Sequence, residues 1–157
     1  MTKPKDLILM LTDDAFNKNS WAAELGLFNT FKKVPFDELL TLPPGQDYPV
    51  WTLAAHVTFY KHMMCNMLGA GLEDFIYPGG NFPLPPGEKT EAEWEKMLDY
   101  MEDIQKHYEA AIRDMKDEMF DQRIKKWNMS WEKAFLLMYS HDVYHTAQIK
   151  NGWHHLF

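Results

Sequence analysis

The segment SHDVYHTAQI, residues 140–149, decides how this chain is read. His141 and His145 stand one helical turn apart and Gln148 follows after one turn more, so a helix would carry all three on one face. At a helical advance of about 100° per residue, Ala134, Leu137, His141, His145, Gln148 and Gly152 lie within about 40° of one line. The imidazoles thus continue an apolar stripe. The helix that bears them starts at a cap on Asn128 or Ser130 and runs to about residue 154.

Outward from that segment, helical periodicity dominates and no long alternating strand pattern occurs, which predicts an all-α fold. A second long helix spans about 49–68, with Pro49 in its first turn and stop signals at Gly69 and Gly71. Thr90-Glu91-Ala92-Glu93 has the form of a capping box and opens a third long helix, whose Trp94, Met97, Leu98, Met101, Ile104, Tyr108, Ala111, Ile112 and Met115 keep helical spacing to about residue 116. Near the start, a short helix at about 5–15 leads into a stretch with Trp21, Leu25, Phe28 and Phe31 on one side. One kinked helix or two would both satisfy that pattern. Between the second and third long helices, YPGGNFPLPPG (77–87) forms a long irregular loop, expected to act as a lid.

With 157 residues, 46% of them hydrophobic and 25% charged, the chain suits a single domain covering 1–157. A net charge of −7 opposes a nucleic-acid partner, whose phosphates need clustered Lys and Arg. Cys65 is the sole cysteine, so no intramolecular disulfide and no Cys-based zinc knuckle can form, and a reducing compartment fits. The apolar run LILML ends at Asp13 and Asp14, too short for a signal peptide or a bilayer span. The expectation is a cytoplasmic protein with no membrane partner.

On the second long helix, Thr52, Leu53, Phe59, Tyr60, Met63 and Met67 project within about 60° of His56, which therefore faces inward too. A neutral imidazole in an apolar core must satisfy one donor and one acceptor nitrogen. One divalent metal shared by His56, His141 and His145 would do so, the His-x-x-x-His pair supplying two ligands from adjacent turns. The bland alternative is a set of hydrogen-bonded core histidines, and the methionines Met63, Met64, Met67, Met97 and Met101 read as core filler. His62, His107, His154 and His155 are assigned to the surface. HDVYH differs from the HExxH helix of zinc peptidases, because Asp142 is one methylene shorter than the glutamate base and Asn151 stands at the third-ligand position of metzincins. Peptidase activity is not expected. Neither Cys65 nor Ser140 has an activating context for nucleophilic catalysis.

Taken together, WTLAAH (51–56), TEAEWEKML (90–98) and SHDVYHTAQI resemble the DinB/YfiT-like superfamily of metal-binding four-helix bundles. The resemblance runs from about NKNSW (17–21) to the C-terminus. It implies a four-helix bundle with a long loop between the second and third long helices, and His56, His141 and His145 as metal ligands. Ala147 replaces a frequent glycine, and Lys150-Asn151-Gly152 stands where many members carry arginines, changes that leave the ligands intact and blur the substrate.

Three protein ligands leave a position open, as catalytic sites do. The resemblance implies a metal-dependent enzyme with a small-molecule substrate: S-transferase-like with a low-molecular-weight thiol such as mycothiol or bacillithiol as cosubstrate, or hydrolase-like. Zinc or nickel leads, and iron, cobalt or manganese also suits three imidazoles. Gln148 could bind a ligand or orient an imidazole, and Tyr60 could donate to a bound anion, making both candidates for catalytic roles. Asp142 and Tyr144 lie off the metal line and are expected to be structural or interfacial. The competing reading is a non-catalytic small-ligand-binding or stress-response bundle with a structural metal. An open pocket reached past the 69–90 loop favours the enzyme, and a closed, dry site the bundle. A second stripe, Leu136, Tyr139, Val143 and Thr146, predicts burial on all sides or a homodimer, which the resemblance also implies.

Overall fold

The computed structural model describes residues 4–18 and 26–157. Helix α1 spans Pro4–Asp13 and continues into a π-helical turn at Asp14–Lys18; α2 is Leu27–Lys33, α3 Val50–Met67, α4 Glu91–Asp114 and α5 Trp131–Gly152. The expected all-α architecture holds. One feature is additional: two short strands, β1 at Arg123–Ile124 and β2 at Met129–Ser130, pair antiparallel with Arg123 opposite Ser130. Of the four aromatic and aliphatic residues expected on one side near the start, Trp21 and Leu25 lie outside the described residues. Phe31 is fully buried, with Phe28 packed against the same cluster.

The caps show why the long helices begin and end where they do. Thr90 accepts a hydrogen bond from the Glu93 amide at 3.2 Å, and Ser130, rather than Asn128, accepts from the Lys133 amide at 3.3 Å. Each replaces a partner that the first turn of a helix lacks. At the end of α3, the Gly69 amide donates to the Asn66 carbonyl and the Ala70 amide to that of Cys65, with Gly69 at φ 90°. This is the Schellman arrangement, and its left-handed residue favours glycine.

Among the described residues, two apolar clusters fill the interior. One gathers Phe31, Trp51, Leu53, Trp94, Met97, Met101, Ile149 and Trp153; the other gathers Ile8, Met64, Tyr108, Ile112, Phe135 and Met138. Between Val57 and Met64 on α3, Met101 and Tyr108 on α4, and Met138 and Ile149 on α5, the sequence supplies a polar layer instead. Its buried members are Thr58, Lys61, His62, Gln105, Asp142, His145 and Thr146. Buried polar groups at this density must be paired to be tolerated, and the pairing is what positions the site. Among the described residues no helix is long and apolar enough to cross a membrane.

Candidate metal centre

His56 comes from the middle of α3, and His141 and His145 from successive turns of α5. Their Nε2 atoms converge: His141 Nε2 lies 2.9 Å from that of His56 and 3.1 Å from that of His145. One ligand atom from each of the three falls within 4.8 Å of the others. Among the described residues the three form a compact donor set. His56 and His145 are buried, whereas His141 is only partly so.

The outer ring nitrogens explain what the inner ones can do. His56 Nδ1 donates to the backbone carbonyl of Asn81 at 2.5 Å, and His145 Nδ1 donates to Gln148 Oε1 at 2.8 Å. A neutral imidazole carries one proton, so a proton used at Nδ1 leaves a lone pair at Nε2. Two lone pairs therefore face each other across the site. His141 Nε2 can donate to one of them and not to both, so hydrogen bonds among the described residues leave the cluster one donor short. A cation accepted by all three nitrogens does satisfy it, and hydrogen-bonded Nδ1–H groups are the usual outer partners of metal-binding imidazoles.

Burial reinforces neutrality. Desolvation, together with the neighbouring His145, His56 and Lys61, depresses the His141 pKa to about 3. Burial brings His145 down to about 4, against the opposing bond from Gln148, and also lowers His56. Imidazoles that stay unprotonated at neutral pH hold their lone pairs ready for a metal.

The long loop closes one side. Gly79, at φ 107°, turns the chain so that the Leu84 amide bonds to the Pro78 carbonyl at 2.9 Å. A Cβ at Gly79 would sit 3.2 Å from the Leu84 nitrogen and the Phe82 oxygen, so only glycine fits this turn without a shift. The turn presents the Asn81 carbonyl to His56 and lays Phe82 flat on the same ring, with centroids 4.3 Å apart; Tyr48 stacks on Phe82 in turn at 3.8 Å. The lid anticipated in the sequence is thus an outer wall of His56. His141, by contrast, is only partly buried.

Tyr60 and Gln148 both border the cluster. The Tyr60 ring stands edge-on to His56 and His141 at 5.2 and 5.3 Å. Besides holding His145, Gln148 donates through Nε2 to Gln46 Oε1 at 3.1 Å. Tyr144 is exposed, as an off-line residue should be. Asp142 is not free to act as base or ligand: Lys61 Nζ holds its Oδ2 at 2.5 Å and also donates to Gln105 Oε1 at 2.7 Å, all three residues being buried. The carboxylate that follows the first histidine therefore has a different task from the glutamate of HExxH.

His62 corrects the surface assignment. It is 5% exposed, with Nε2 bonded to the Glu73 carbonyl at 2.8 Å, because the chain leaving α3 folds back over it. The proposed second stripe of α5 is not uniform: Leu136 is exposed, whereas Thr146 is buried with its hydroxyl donating to the Asp142 carbonyl. Sequence periodicity also gave no sign of the β1–β2 hairpin. Its turn, with Asn128 at φ 52°, carries Trp127 toward α3 and α5.

A protein-family model described as the DinB superfamily matches residues 21–149. No curated protein and no solved structure gives a significant match to the chain.

Proposed function

Because the chain belongs to the DinB superfamily, we propose that it is a metal-dependent enzyme whose centre is His56, His141 and His145. The observation that carries this reading is the convergence of three Nε2 atoms, two of them with their protons committed elsewhere. A divalent ion held there, zinc or nickel first, supplies a Lewis acid that lowers the pKa of a thiol or a water, as S-transferase-like or hydrolase-like chemistry requires.

The remaining work falls to the chain. The Asn81 carbonyl and Gln148 keep the His56 and His145 rings in the tautomer that presents Nε2. Phe82 and Tyr48 exclude water from the outer face of His56. Tyr60 offers a phenol beside His56 and His141, suited to donating to an anionic group of a substrate. The same reading includes one domain over 1–157, a small-molecule substrate, a low-molecular-weight thiol in the transferase case, and self-association through the exposed side of α5 at Leu136.

Gln148 tests the outer shell. Gln148→Leu removes the acceptor for His145 Nδ1–H and is expected to weaken zinc affinity about 10- to 100-fold, the usual cost of losing such a partner. Gln148→Glu, which keeps an acceptor, should stay close to wild type in the same competition titration against a chromophoric chelator.

For the reaction class, the metal-loaded protein is offered bacillithiol or mycothiol with an electrophilic acceptor, and separately a panel of esters and amides. Thiol consumption or hydrolysis that His145→Ala abolishes is the expected result. No turnover by fully loaded protein would favour the non-catalytic ligand-binding bundle, a reading to which the closed wall over His56 lends some support.

A further inference from the structure

An apolar cleft of about 230 Å³ lies between α3, the β1–β2 hairpin and α5, lined by Tyr60, Trp127, Met129, Ala134, Leu137 and Met138. None of these side chains is charged. Three features tie the cleft to the histidines. Leu137 and Ala134 occupy the α5 stripe one and two turns before His141. Tyr60 lines the cleft and also touches the His56 and His141 rings edge-on. His141, the member of the cluster that is not buried, follows the cleft residue Leu137 by one helical turn.

Volume narrows the occupant. An enclosed cavity of about 150 Å³ accepts benzene, whereas a site for a whole drug-sized ligand takes about 300–1,000 Å³. The cleft thus suits part of a molecule: one aromatic ring, or a chain of about six carbons. Leu137 is 44% exposed despite its place on the inward stripe, and Trp127, only partly buried against the second core cluster, turns part of its surface to the cleft. We propose that this cleft is the subsite for the apolar portion of the substrate, whose polar head reaches the three histidines past Tyr60. The substrate class is then a small molecule with an alkyl or aryl group joined to a metal-seeking head. This inference rests on the metal-centre reading above.

The test separates the two. Zinc-loaded and zinc-free protein are titrated calorimetrically with acetohydroxamate, hexanohydroxamate and decanohydroxamate, which share one chelating head on tails of increasing length. Four added methylenes would gain roughly 200-fold if fully buried; in an open cleft we expect about 30-fold between the first two ligands, with little more for the third. The gain should require zinc and should shrink to a few-fold in Leu137→Asp, an exposed position where the substitution does not threaten folding. Equal affinities for all three tails on loaded wild type would overturn the cleft and leave the metal centre standing. Failure of every ligand to distinguish loaded from zinc-free protein would sink the metal-centre reading, and with it the linkage proposed here. If Leu137→Asp converts a dimer to a monomer and leaves the tail-length gain intact, the face serves self-association and the subsite assignment is wrong.

Discussion

Elemental analysis of His141→Ala should find almost no metal where the wild type, purified untagged, carries close to one ion per chain. His141 is the sharpest choice among the three because its Nε2 lies between the other two. Removing it leaves two imidazoles whose remaining geometry no longer encloses a cation, and the loss should exceed the roughly 10- to 100-fold that an outer-shell substitution costs. Stability offers a second readout. Metal at about 100 times its Kd stabilises the folded state by about 2.7 kcal/mol, a rise in Tm of roughly 5–11 °C for a chain of this size. Zinc should raise the wild-type Tm by that order and leave the variant unmoved. Equal occupancy in both proteins would show that the three histidines are a polar cluster and nothing more.

The parts of this architecture that could be read in the sequence are those fixed by local rules. Thr90 and Ser130 cap helices by contacts three residues away, and Gly69 ends α3 through its own backbone. The facing of His56, His141 and His145 follows from 3.6-residue periodicity, since burial of a stripe forces whatever lies on it inward. Other features depend on partners far along the chain. His62 projects about 120° from His56 on α3 and looks like a surface residue, yet residues leaving the helix return to cover it. Asn81 and Phe82 lie in a stretch without periodicity, and nothing local marks them as the wall of His56. The hairpin at 123–130 is too short to alternate visibly, although it supplies Trp127 and Met129 to the cleft.

Lys61 and Asp142 show the same limit most clearly, and they carry the largest expected effect on stability. Each is a charged residue in an otherwise ordinary helical run, and their pairing spans 81 positions. Lys61 is 2% and Asp142 1% exposed; Lys61 also stands over the Phe16 ring at 4.5 Å. Burial pushes the Asp142 carboxyl up against the pull of Lys61. Among the described residues, Asp142 Oδ1 and the Tyr108 hydroxyl have no hydrogen-bond partner, so the layer already holds polar atoms in deficit. Lys61→Met would strand a carboxylate in that layer and remove the donor to Gln105. Breaking a buried pair from one side costs about 3–5 kcal/mol, or roughly 6–20 °C in Tm. The double variant Lys61→Met/Asp142→Leu removes both charges and should recover most of that loss, because an apolar replacement of a whole buried pair is often close to neutral. Its metal affinity should nonetheless stay near wild type, since the pair is neutral as a unit and neither member is among the three converging nitrogens. A double variant as unstable as the single one would mean that Lys61 acts through Gln105 or Phe16 rather than through Asp142. Loss of metal from a well-folded double variant would instead place the carboxylate in the support of the histidine cluster.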